Sequence, residues 1–180
     1  KLAALGPLLW VMRGGMIVSL VLHVVLTITL AVENTKARPE RYDVIADHGD
    51  REKATRVMKY TGSMIVLFLM LHLYDFTFGE KTGAGTVIQG VDGDEGLGLF
   101  GLVWNSFSLR ASGWNVFRDV LYILAVSSVG LHLSHAIESV FQTFGFNHQR
   151  YTPVVRKISL GAGIAIAVLF ASLPIYVAVA

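Results

Sequence analysis

The chain contains no cysteine. That excludes disulfides, thiolate metal ligands and any iron–sulfur cluster held by the chain itself. It is also poor in charge: only 16% of its 180 residues are charged, against 53% hydrophobic, and its mean hydropathy is +0.57. A soluble domain usually carries about a quarter charged residues. The net charge of +2 is too small to imply nucleic-acid binding. There is no internal repeat, no low-complexity run, and no charged leader with a small-residue cleavage site of the signal-peptide kind.

What is present is long apolar runs. A bilayer core needs roughly 20 mostly apolar residues in a helix. Four segments meet or approach this, at about 8–32, 58–78, 114–144 and 158–179. They predict an all-α integral membrane bundle of four transmembrane helices and a single domain over 1–180. The connections differ in character. Residues 33–57 are dense in charge of both signs, 79–113 are rich in glycine, and 145–157 are short and basic.

Cationic residues set the orientation. Lys36, Arg38, Arg41, Arg51, Lys53, Arg56, Lys59, Arg150, Arg156 and Lys157 fall on one side. Lys1, Arg13, Lys81, Arg110 and Arg118 fall on the other. The first group is expected to face the cytoplasm, with both ends of the chain on the far side. That placement, and a start at Lys1 rather than Met, leads us to expect a preceding helix outside the given sequence.

Four of six histidines, His23, His72, His132 and His135, lie within spans. An ionisable residue in a membrane is costly and marks a functional site by default, and neutral imidazole is the usual axial ligand of haem iron. At 1.5 Å rise per residue, His23, His132 and His135 all lie roughly 13–17 Å from the cytoplasmic ends of their helices. His72 lies roughly 9 Å from the outer end of its own. His23 can therefore share a b-type haem with His132 or His135, while His72 supplies half of an outer site.

Helix faces separate the first two candidates. Gly15, Ser19 and His23 share a face, as do Ser128, His132 and Ala136. Leu131 and Ser139 flank His135 less openly, so His132 is favoured as ligand, with His135 beside it meeting a propionate or a partner subunit. The competing account is a histidine that only hydrogen-bonds between helices. His48 and the acidic cluster Asp92, Asp94 and Glu95 read as solvated loop, and His148 as an interface or headgroup contact.

The stretch LHLSHAIESVFQTFGFNHQRYTP from Leu131 resembles the membrane-anchor cytochrome b subunit of succinate dehydrogenase and fumarate reductase, in its single-chain form (type B succinate:quinone oxidoreductase). LGPLLWVMR at Leu5–Arg13, LHVVLTITLAVENTKARPERY at Leu22–Tyr42 and LMLHLYDF at Leu69–Phe76 extend the resemblance over nearly the whole chain. The family has five helices, and this chain begins where the second would.

The resemblance implies His132 as an axial ligand, in the family's pattern of His, three residues and then Gly; here Ala136 stands in place of that Gly. It implies His23 on the same haem b and His72 on an outer haem whose other ligand belongs to a helix not in this chain. It further implies a flavoprotein and an iron–sulfur subunit docked on the cytoplasmic face of the inner membrane, and electron transfer to quinone. A higher oligomer of the complex is compatible with it.

Ser139, Gln142 and Thr143, with Arg38 in the loop, become candidates to bind quinone; docking contacts to the iron–sulfur subunit are the alternative. Arg13 and Arg118 become candidates for the outer haem's propionates, with snorkelling to lipid headgroups as the alternative. The rival classes are a haem-free structural anchor, a small transporter, and the cytochrome b subunit of another membrane oxidoreductase. The sequence lacks the inverted repeats and broken helices expected of a transporter.

Overall fold

The computed structural model describes residues 6–37, 50–78, 87–89, 95–146 and 148–180. The fold is all-α, and four of its helices are long and apolar enough to cross a membrane: Pro7–Lys36, Val57–Phe78, Asn115–Thr143 and Thr152–Val179. By that length and composition the chain is a multi-pass membrane protein. It divides into two compact units, Lys1–Asp47 and His48–Ala180.

The first unit holds one helix, α1 (Pro7–Lys36). Thirty residues span about 45 Å, more than the roughly 30 Å hydrocarbon core. Pro7 sits in the first turn, where its missing N–H has no helical partner to lose. In lipid every polar group must find a partner within the protein. Thr27 and Thr35 do so by donating to the carbonyls one turn back, those of His23 (2.7 Å) and Ala31 (2.8 Å). Near the opposite end the Arg13 guanidinium lies 5.3 Å from the Trp10 ring centre, an aromatic–cation pair suited to the headgroup level.

The second unit begins with α2 (Asp50–Leu73), which runs into a π-helical turn, Tyr74–Phe78. A small antiparallel hairpin follows, β1 (Val87–Gln89) with β2 (Glu95–Leu97), Val87 facing Leu97. Then come α3 (Leu99–Phe107), α4 (Asn115–Thr143) and α5 (Thr152–Val179). The sequence reading took 79–113 as connection only. At nine residues α3 is far too short to span, and so escapes a test based on span length. Its end is tied down by Asn115, whose side-chain amide donates to the carbonyls of Asn105 (2.9 Å) and Ser108 (2.8 Å). These satisfy carbonyls that a helix C-terminus leaves open.

Helix α4 packs against α2, α3 and α5. Its seam with α5 is built from small residues. A Cβ added at Gly130 would stand 2.5 Å from the Gly163 carbonyl oxygen and 2.8 Å from the Ala167 Cβ; one added at Gly163 would stand 2.9 Å from the Ser134 Cβ. Gly130 and Ser134 on α4, with Ser159, Gly163 and Ala167 on α5, repeat every four residues, the spacing that lets membrane helices meet backbone to backbone.

The end of α4 explains much of the FQTFGF stretch. Gly145 takes a positive φ of 81°. Its N–H donates to the Gln142 carbonyl (3.0 Å), and the Phe146 N–H donates to the Phe141 carbonyl (2.9 Å). This is the Schellman stop, and its customary apolar contact is the Phe141–Phe146 ring pair, 6.1 Å apart. His148 and Thr152 then start α5: the His148 N–H donates to the Thr152 hydroxyl (3.2 Å), and the Thr152 N–H to the His148 carbonyl (2.9 Å).

Many large apolar side chains point outward, while several of the buried residues are small and polar. Met16 is 72% exposed and Val168 64%, whereas Ser108, Asn115 and Ser159 are buried. In water such a surface would aggregate; against lipid it carries no penalty.

Three substitutions test these features by thermal unfolding in detergent. Gly130→Ala should cost about 1–3 kcal/mol, because backbone and not a flexible side-chain tip must yield, while Gly161→Ala, where an added Cβ meets no atom within 4 Å, should be silent. Gly145→Ala should cost about 1–2 kcal/mol through its left-handed backbone; an unchanged melting point would remove the helix-stop account.

Candidate functional site

One polar contact between spans centres on His132. Its Nδ1 lies 3.1 Å from the Thr61 Oγ1 of α2. Next along α2 is Gly62, where a Cβ would come 3.4 Å from the His132 Cε1. The Nδ1–Cε1 edge of the imidazole therefore rests on α2. Thr61 is buried, and its hydroxyl also has the carbonyls of Met58 (3.1 Å) and Val57 (3.3 Å) within reach. Gly130 faces α5 on the other side of α4, so the structural seam and the histidine site occupy different faces of one helix.

Ser128 and Ala136, the small residues expected one turn either side of His132, are both half-buried, and Ser128 donates to the Leu124 carbonyl (3.0 Å). His135 is half-buried one turn further along. At i+3 on the same helix it cannot reach the opposite face of a metal bound by His132. His23 belongs to α1 in the first unit and is exposed there. It lies 13 residues from the end of its helix and His132 lies 11 from the end of α4, about 20 Å and 17 Å respectively.

Toward the end of α4, Ser139 is exposed, Thr143 donates to the Ser139 carbonyl (2.9 Å), and the Gln142 amide donates to the Glu138 carboxylate (3.2 Å). Thr143 thus spends its proton locally, while Ser139 and Gln142 still have polar atoms to offer. Arg38 lies outside the described residues. Arg13 sits over Trp10, as described above.

A second cluster lies toward the other end of the same helix pair. His72 is exposed and stands among Phe68 (5.5 Å between ring centres), Phe76 (5.2 Å) and Tyr122 (6.2 Å). Below this aromatic layer is a network the sequence reading did not foresee. The Tyr122 hydroxyl donates to Asp75 (2.7 Å), whose side chain is only 4% exposed. Arg118 lies 3.5 Å from the same carboxylate and 3.2 Å from the Ser106 hydroxyl. Asp75 stands within the π-helical turn, a distortion often found at functional positions. Arg118 therefore has protein partners where a haem propionate was expected. Asp119, next in sequence, has one buried oxygen without a hydrogen-bond partner among the described residues.

Thr61, Gly62 and Tyr122 went unnamed because their roles are pairwise across helices. A faint signal existed in the Thr-Gly pair within the second span and in Asp75 placed inside it. Among the described residues no three His, Asp or Glu side chains converge on an ion site. A bis-imidazole haem needs only two protein ligands, because the porphyrin supplies the rest. Comparison with family models, with curated proteins and with solved structures gives no match.

The outer network is tested by a double-mutant cycle. Tyr122→Phe should cost about 1–2 kcal/mol of unfolding free energy. In an Asp75→Asn background that cost should shrink by at least about 0.5 kcal/mol; strict additivity would mean the two side chains do not interact.

Proposed function

We propose that this chain is the haem b-bearing membrane anchor of a succinate:quinone oxidoreductase, seated in the inner (cytoplasmic) membrane. The observation that carries the reading is His132, an imidazole inside a membrane span seated edge-on against Thr61 and Gly62. A metal-binding histidine is normally oriented in this way, through a hydrogen bond to its second nitrogen. The resemblance of the Leu131–Pro153 stretch and of the other three segments to the anchor family supports the same reading.

The side chains suit the group. Histidines stand within both α1 and α4, and the chain has no thiolate to compete. His132 and His23 would be the axial ligands, with His135 beside them. His72, walled by Phe68, Phe76 and Tyr122, would serve an outer haem completed by a helix outside this chain. Bound haem would supply a one-electron carrier within the membrane. By the same resemblance, iron–sulfur centres would belong to one partner and the succinate chemistry to a flavoprotein, both on the cytoplasmic face; this chain has no cysteine to hold such a centre itself. Ser139 and Gln142, at the end of α4, offer polar groups for quinone at the membrane edge, where protons are available.

The second reading is a haem-free structural anchor. It draws on the same Thr61–His132 contact, which also serves as an interhelical hydrogen bond. The cytochrome b subunit of another membrane oxidoreductase is a third.

A dithionite-reduced minus oxidised spectrum of the chain with its partners separates these readings. A b-type alpha band should appear, survive His135→Ala, and be lost or halved in His132→Ala and in His23→Ala. Absence of the band in the unmutated chain sinks the haem reading.

A further inference from the structure

We infer that Thr61 is the positioning residue of His132: it holds the ring as the Nδ1–H tautomer and so dedicates Nε2 to the iron. The inference rests on the haem reading above and adds a residue to it.

A hydroxyl has one proton to give. Thr61 Oγ1 has three acceptors in range, the carbonyls of Met58 and Val57 at 3.1 and 3.3 Å and the His132 Nδ1 at 3.1 Å. If the proton went to Nδ1, the ring would carry its own proton on Nε2 and could not bind iron. If it goes to a carbonyl, the oxygen accepts from Nδ1–H and the lone pair falls on Nε2. Back-bonding to the preceding turn is the usual habit of a threonine in a membrane helix, and Thr27, Thr35 and Thr143 in this chain all follow it. Thr61 itself is buried and the contact is partly buried, which strengthens it. Gly62 lies beside the ring, where a Cβ would come 3.4 Å from Cε1, ordinary contact distance. Thr61 thus fixes the proton on the ring.

An Nδ1–H engaged by an acceptor makes the imidazole a more electron-rich ligand, favouring oxidised iron. Thr61→Val keeps the shape and removes the acceptor. In the intact complex it should lower haem affinity about 10–100-fold and raise the midpoint potential of the affected haem. Thr61→Ser should restore both. A variant that keeps wild-type affinity and midpoint overturns the inference while leaving the haem reading intact. A second measurement does not depend on haem. In the full chain freed of haem, nitrogen NMR of labelled histidine should find His132 protonated on Nδ1, and that preference should vanish in Thr61→Val. Protonation on Nε2 in the unmutated chain overturns the inference. Absence of haem from the unmutated complex overturns the parent reading and, with it, the iron-directed role given to Thr61.

Discussion

Inside a bilayer a side chain with a proton to give or take has no water to turn to, and much of the second unit is arranged around that constraint. Unsatisfied polar groups in hydrocarbon cost several kcal/mol each. Several polar residues of the spans are accordingly seated on partners. Thr61 meets His132 and its own preceding turn. Asp75 meets Tyr122 and Arg118. Ser159 meets the Val155 carbonyl. The contacts that cross between helices, Thr61 with His132 and Asp75 with Tyr122 and Arg118, fix a helix in rotation and height, which apolar packing against lipid does not do, since lipid tails attract a leucine as well as another helix does.

Helix α4 shows how the constraint organises function. One face, with Gly130 and Ser134, is given over to close backbone contact with α5. A different face presents His132 and Tyr122 to α2, ten residues and about 15 Å apart. The glycine seam gives α4 a fixed position, and a fixed α4 is what allows a 3.1 Å contact from a histidine to a threonine to be held. A ligand shell needs this kind of rigidity, because a loosely held imidazole binds metal less well. The π-helical turn at Tyr74–Phe78 is the one place where the α2 backbone departs from regularity, and it is there that a buried carboxylate is admitted.

The spans, the all-α class and the histidines were legible in the sequence, because hydropathy and helical rise are properties of one segment at a time. The helix ends moved by up to about two turns: α1 reaches Lys36, α2 begins at Asp50 and α5 at Thr152. What escaped was pairwise. The apolar run Leu99–Phe107 is too short to register as a span, yet it forms α3 and supplies Ser106 as an acceptor for Arg118. Gly130 and Gly163 look like any other membrane glycines until the helices are set antiparallel. The Phe141 to Phe146 segment, distinctive as a string of letters, has a local physical cause in the Schellman stop at Gly145. That cause lowers the weight the segment carries as a mark of kinship, and it shifts the argument for function onto His132 and its two supports.

The most direct measurement of the central claim is near-infrared magnetic circular dichroism, with electron paramagnetic resonance, on the oxidised complex. The account predicts a low-spin ferric haem with two neutral imidazole ligands, whose signature disappears with either His23 or His132. A high-spin haem, a ligand pair other than two histidines, or a signature indifferent to His132 would contradict it.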